Sequence, residues 1–128
     1  MFIKIDFTSD IPIYEQIKNQ IIEAVARGEL QNGDSLPSIR DLASEIGVNM
    51  HTVAKAYNEL KYMGLIAINK KHGAYIAVSK NYDKEFLNEI IKEVTPIVAK
   101  AICKGMNKYE LIRLIETIFD GFGGKKDA

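Results

Sequence analysis

His51, Lys55 and Asn58 fall within "NMHTVAKAYNELKYMG", a stretch whose apolar residues Val53, Ala56, Tyr57 and Leu60 recur at offsets of 0, 3, 4 and 7. That spacing is helical. With Val53 at the centre of the buried face and about 100° turned per residue, His51 and Lys55 come out almost opposite it, flanked by Asn58 and, less centrally, Ala54. Hydrogen-bonding and cationic groups near a helix N-terminus have the chemistry needed to read base edges in a DNA major groove. An ordinary solvated helix face carries the same residue types. Lys plus Arg and Asp plus Glu both number 17 in the chain, so net charge alone indicates no polyanionic partner. Locally, residues 38 to 73 hold five Lys or Arg against three Asp or Glu, with two His besides.

Other chemistry fails on inventory. Two His and one Cys, with no phosphate-cradling glycine loop and no believable Ser/His/Asp spacing, leave no catalytic site to assign. His51 and His72 are unaccompanied by a carboxylate or cysteine cluster, so no metal and no cofactor is expected. Cys103 permits no internal disulfide, which suits a reducing cytoplasm, and reads as a small core hydrophobe. No apolar run approaches the roughly 20 residues of a membrane span, and the first residues do not resemble a signal peptide. A cytoplasmic, globular protein without membrane contact is expected, of 128 residues and 47% hydrophobic, with disorder confined to the tail 123–128.

Several elements must position these groups. "FIKIDF" alternates apolar and polar residues and reads as a short strand or an extended arm. Asp10 can cap a helix over 11 to 27 with Pro12 in its first turn, and Gly28 stops it. "LQNGDSLP" is dense in turn formers, so the chain reverses there. Ser38, with Asp41 three residues on, can cap a second helix carrying Ile39, Leu42, Ala43 and Ile46; Gly47 ends it, and Asn49 can cap the third. Two apolar stripes joined by "GVN" must cross steeply over a core shared with the first helix, which makes a helix-turn-helix. "LIAIN" and "AYIAV", joined by "KKHG", then read as a hairpin with Gly73 and basic residues at its tip. A trihelical core followed by such a hairpin is a winged helix.

Beyond Ser79 the pattern changes to long helices. Phe86, Leu87, Ile90, Ile91, Val94, Val98, Ala101 and Ile102 form a stripe from about 82 to 104, with Pro96 predicting a kink. Asn107 and Glu110 resemble a capping box for a last helix rich in Leu111, Ile112, Leu114, Ile115, Ile118, Phe119 and Phe122. Two such helices cannot cover one another completely, so a second subunit is expected over Leu87, Ile90, Ile91, Val94, Val98, Ile102, Leu111, Ile115, Ile118 and Phe119.

Over residues 11 to 78 the sequence resembles the GntR-type winged-helix transcription regulators. "G-x-x-LPS-x-R-x-LA", "TV-x-x-AY-x-EL" and the glycine-tipped wing stand in the family's order and spacing. The short tail, with "PIYEQI" and "VAKAY", is similar to the YtrA-like branch. The resemblance implies that Ser38 and Arg40 contact the DNA backbone or nearby bases, and that Asn49, His51, Thr52 and Lys55 supply contacts from the recognition helix. It places the wing, with Lys70, Lys71, His72 and Gly73, in or beside the minor groove. The sequence departs from the family at Met50, Ala54 and Lys71; Ala54 removes a long donor where Arg or Gln is usual. YtrA-like proteins tend to control operons for ABC transporters, often including their own gene.

The expected fold class is mostly α with a small β-hairpin wing: an N-terminal winged helix-turn-helix over 1–78 and a C-terminal two-helix dimerisation or effector unit over 79–122. The expected protein is not an enzyme but a homodimeric repressor on a double-stranded, inverted-repeat DNA operator. No small-molecule effector is identifiable, and any such ligand would have to lie between subunits or between domains. The rival reading is a winged helix used as a protein-interaction module, which salt-sensitive DNA affinity would exclude.

Overall fold

The computed structural model describes residues 3–123. Its elements are α1 (Ile13–Ala26), α2 (Ile39–Ile46), α3 (Met50–Tyr62), β1 (Ile66–Asn69), β2 (Gly73–Ile76), α4 (Lys84–Cys103) and α5 (Lys108–Gly121). The chain divides into two units, one ending at Ser79 and one beginning at Lys80.

In the first unit, Ile17, Ile21 and Ala24 of α1, Leu42 and Ala43 of α2, and Val53, Ala56, Tyr57 and Leu60 of α3 close one apolar core, floored by Ile66, Ala74 and Ile76 of the hairpin. The helical offsets of each stripe therefore converge on a single interior, and α3 packs on α1, α2 and β1. The α2 helix begins as its sequence implies, with the Ser38 hydroxyl accepting from the Asp41 amide at 3.0 Å. It ends at Gly47, whose φ of +74° is open to glycine at little cost.

The N-terminal residues form the arm and not the strand. Gln20 accepts from the Lys4 amide at 2.9 Å and donates to its carbonyl at 2.6 Å, while Gln16 accepts from the Asp6 amide at 2.9 Å and donates to its carbonyl at 3.0 Å. Two glutamine side chains thus satisfy the backbone groups that a neighbouring strand would otherwise have to meet. They also hold Ile3 in the core. The Thr8 hydroxyl and amide both donate to the Asp6 carboxylate, which lowers the Asp6 pKa.

Three details depart from the sequence reading. Asp10 does not cap α1. Pro12 occupies the cap position in an extended conformation (φ −55°, ψ 147°), and its carbonyl accepts from Glu15 and Gln16. The 31–37 segment is more than a reversal, because part of it lies along the outer edge of β2, with an isolated bridge between Ser35 and Tyr75. The Gly33 amide donates to the Ile76 carbonyl at 2.8 Å, Ile76 to Asp34 at 2.9 Å, and Leu36 to Ala74 at 2.8 Å. Cys103 is exposed instead of buried, because α4 buries none of its residues.

In the second unit, the Asp83 carboxylate caps α4, and Asn107 with Glu110 forms a complete capping box on α5. The α4 helix continues through Pro96, and the Thr95 hydroxyl donates to the Ile91 carbonyl at 2.6 Å. The expected disorder of 123–128 concerns residues that, apart from Gly123, lie outside those described.

Candidate nucleic-acid interface

The two helix starts use polar groups expected to face a ligand. Besides the Ser38 cap, the Asn49 side-chain oxygen accepts from the Thr52 amide at 2.9 Å and from the Thr52 hydroxyl at 3.1 Å. Ser38, Asn49 and Thr52 are therefore committed to starting α2 and α3, although the Ser38 hydroxyl proton and the Asn49 amide protons remain available to donate. Arg40 is exposed in the first turn of α2, and His51, Lys55 and Asn58 are exposed along α3. Ala54 is half-buried on the same helix.

Two links fix α3 against its neighbours. The Tyr57 ring is fully buried, and its hydroxyl donates to the Pro37 carbonyl at 2.7 Å, joining α3 to the residue before the Ser38 cap. Burial, and secondarily the charge of Glu45, raises the Tyr57 pKa. On the α1 side, the Lys55 ammonium sits 4.0 Å from the centre of the Tyr14 ring. One turn along both helices, Lys18 pairs with Glu59 at 3.0 Å, with the Lys18 side chain only 17% exposed. Lys55 thus has a definite seat, whereas the helical wheel alone leaves it projecting freely.

At the wing, Asn69 and Gly73 are paired across the hairpin, so Lys70, Lys71 and His72 make a three-residue loop. Gly73 takes φ +66°, the left-handed conformation that closes loops of this length. The Asn69 side chain accepts from the His72 amide at 2.6 Å, and the His72 ring meets Tyr75 edge-on at 6.2 Å. Both lysines are exposed. The base of the wing is clamped by Asn32, whose side chain accepts from the Val78 amide at 2.5 Å and donates to the Val78 carbonyl at 2.9 Å.

The structure therefore places the expected groups in three sets within the first unit: the α2 start, the outer face of α3 and the wing loop. The matching one-turn spacing of Tyr14 and Lys18 on one helix and Lys55 and Glu59 on the other is the signal that sequence reasoning overlooked. In the second unit, Leu87, Ile90, Ile91, Val94, Ile102, Ile115, Ile118 and Phe119 are exposed, and Val98 and Leu111 are half-buried. Ile90, Ile91, Val94, Thr95, Val98, Ala99 and Ile102 line an apolar groove of about 480 Å³ along α4.

The sequence model described as "Bacterial regulatory proteins, gntR family" matches residues 13–76, the stretch that carries the three helices and the wing. The chain belongs to the GntR family. Among its relatives, the "HTH-type transcriptional repressor YtrA" of Bacillus subtilis (strain 168) is 39% identical over 128 residues, covering 98% of each chain. The crystal structure of a "Transcriptional Antiterminator" from Listeria monocytogenes EGD-e superposes with a TM-score of 0.85 at 36% identity, covering 95% of this chain and 92% of that one. The AraR DNA-binding domain in complex with operator ORE1 superposes with a TM-score of 0.50 at 25% identity, covering 60% of this chain and 94% of that one. This GntR-family chain is a DNA-binding transcription regulator of the short, YtrA-like kind, and not an enzyme. Among its described helices, none is long and apolar enough to cross a membrane.

Proposed function

We propose that this protein is a homodimeric repressor acting in the cytoplasm on an inverted-repeat operator. The winged helix, residues 1–78, reads the DNA, and residues 79–122 pair two copies. In this reading α3 enters the major groove, with His51 and Asn58 toward base edges. Lys55, Arg40 and Ser38 meet the backbone, Asn49 and Thr52 border the groove at the start of α3, and Lys70, Lys71, His72 and Gly73 lie at the minor groove. The observation that carries the reading is the exposed polar face of α3, set on a buried core within the stretch that the family model matches. Its resemblance to the YtrA-like branch extends the proposal to the promoter of an ABC-transporter operon.

The second unit supports the reading of two copies, since α4 and α5 bury none of their residues despite their many apolar side chains. A partner's α4 and α5 are the cover that twofold symmetry supplies. Selection of bound duplexes from a random pool, followed by footprinting, tests the reading. The expected result is an inverted repeat with half-sites about one helical turn or a multiple of it apart, bound by two chains with an affinity that falls steeply with salt. A single asymmetric site held by one chain, or no binding at low salt, would overturn it.

A further inference from the structure

We propose that Tyr14 is a positioning residue for DNA recognition: its ring seats the Lys55 ammonium at the edge of the α3 outer face, ready for a phosphate. The inference rests on the DNA-facing assignment of α3 made above.

Lys55 and Glu59 are four residues apart on one helix, the spacing at which opposite charges ordinarily pair. Here Glu59 is taken by Lys18 of α1 at 3.0 Å, and Lys55 forms no ion pair among the described residues. Its ammonium rests on the Tyr14 ring instead, 4.0 Å from the centroid. The difference matters for a polyanion. A carboxylate would hold the ammonium and cancel its charge, whereas a ring holds it by its quadrupole and leaves the charge whole. Lys55 remains exposed, so its remaining N–H donors can still reach a phosphate oxygen. Much of the rotamer freedom that a lysine loses on contact is surrendered before DNA arrives, which favours binding. The seat also settles the kind of contact. An ammonium drawn toward α1 lies to one side of the His51 and Asn58 face, where the groove edge, and therefore the backbone, is met. Tyr14 is half-buried in the first turn of α1 and acts on DNA only through Lys55.

The test replaces Tyr14 in the full chain by Phe, Leu and pentafluorophenylalanine, each with and without Lys55→Met. Affinity is measured for a random-sequence duplex and for the duplex selected from the pool. Phe keeps the ring's negative face; pentafluorophenylalanine keeps the ring but reverses its quadrupole, so a fold defect and a lost cation seat are separable. Tyr14→Phe should bind as the natural protein does. Tyr14→Leu and the fluorinated variant should bind both duplexes about two- to tenfold more weakly, and Lys55→Met should erase the differences among them. In the free protein, the Lys55 side-chain methylene protons should show an upfield ring-current shift that Tyr14→Leu removes. The inference is overturned if the fluorinated variant matches Phe, if binding tightens on loss of the ring, if the Leu defect persists with Lys55→Met, or if the shift is absent. A natural protein that binds neither duplex would overturn the function proposed above. One that binds both while the Tyr14 series stays flat overturns only this inference.

Discussion

Apart from α1, which starts at Pro12 with no side-chain cap, the helices of the two units begin alike and finish differently. Ser38 and Asn49 cap α2 and α3, Asp83 caps α4, and Asn107 with Glu110 caps α5 by the same side-chain chemistry. Yet the first unit encloses Ile17, Val53, Tyr57 and Leu60 completely or almost so, whereas Phe119 in the second is 75% exposed. Capping and periodicity specify a helix, but they do not supply the surface against which it is stable. The first unit contains that surface. The second buries none of its helical residues, and the proposed pairing of two copies would cover them and set how many DNA-reading heads act together.

Removing the second unit gives the sharpest test of the contrast. A chain ending at Ser79 should keep its helical signal and its cooperative melting, since the buried core ends with the hairpin and its clamp. It should sediment as a monomer, and its affinity for a full inverted repeat should drop by about a hundredfold or more through loss of the linked second head. A tight dimer of that shortened chain would show that the pairing surface has been misplaced.

Next in size comes a pair of matched truncations. Leu60 is fully buried, so Leu60→Ala should cost about 2–5 kcal/mol in chemical denaturation whatever the protein concentration. Ile115 is 48% exposed in the single chain, so Ile115→Ala should act mainly on association. Its melting midpoint should become more dependent on concentration than that of the natural chain. Equal, concentration-independent losses would erase the distinction between the units.

Tyr57→Phe probes the link inside the first unit. Loss of the hydroxyl leaves the Pro37 carbonyl without that donor and should cost about 0.5–1.5 kcal/mol. The pH dependence has a definite sign. Burial raises the Tyr57 pKa in the folded state, so the stability it contributes is complete below the unfolded pKa, near 10. That stability is lost at higher pH, where the unfolded state gives up the proton first. Denaturation curves of the natural protein should therefore weaken above about pH 10, and those of Tyr57→Phe should weaken less.

The smallest effect on stability should come from Arg40→Ala. Arg40 is exposed and forms no ion pair among the described residues, so thermal melting should register a change within about 0.5 kcal/mol. DNA binding should respond more. For a phosphate contact, affinity should fall for operator and unrelated duplex alike, and the slope of log K against log salt should flatten by about one per lost contact. Operator affinity unchanged at near-physiological salt would remove Arg40 from the interface.

What could be read from the sequence follows the range of the interactions. The Ser38 and Asn49 caps and the Asn107 capping box involve residues three apart, and the apolar stripes need only helical geometry; these were legible. The bonding of residues 33–36 to β2 was not. Gly33, Asp34 and Leu36 bond to residues about forty positions away, and their own composition signals only a turn. Lys55 was rightly placed on the outer face of α3, but its seat on Tyr14 depends on how α1 and α3 pack, which no single helix's spacing contains. Cys103 reads as core because α4 is rich in apolar residues, yet it is exposed because α4 buries none of its residues.

The clamp of Asn32 on Val78 has a consequence for the order in which the molecule assembles. Its partners are 46 residues apart, so the bond can form only by closing most of the first unit into a loop, at an entropic cost that two hydrogen bonds do not offset. Two strands of four residues each are likewise too short to persist alone in water. The hairpin is therefore expected to dock after the trihelical core has drawn residues 31–37 into place, and hydrogen exchange should find it among the first parts released on unfolding. The wing, the element proposed for the minor groove, is then expected to be the latest part of its unit to become native.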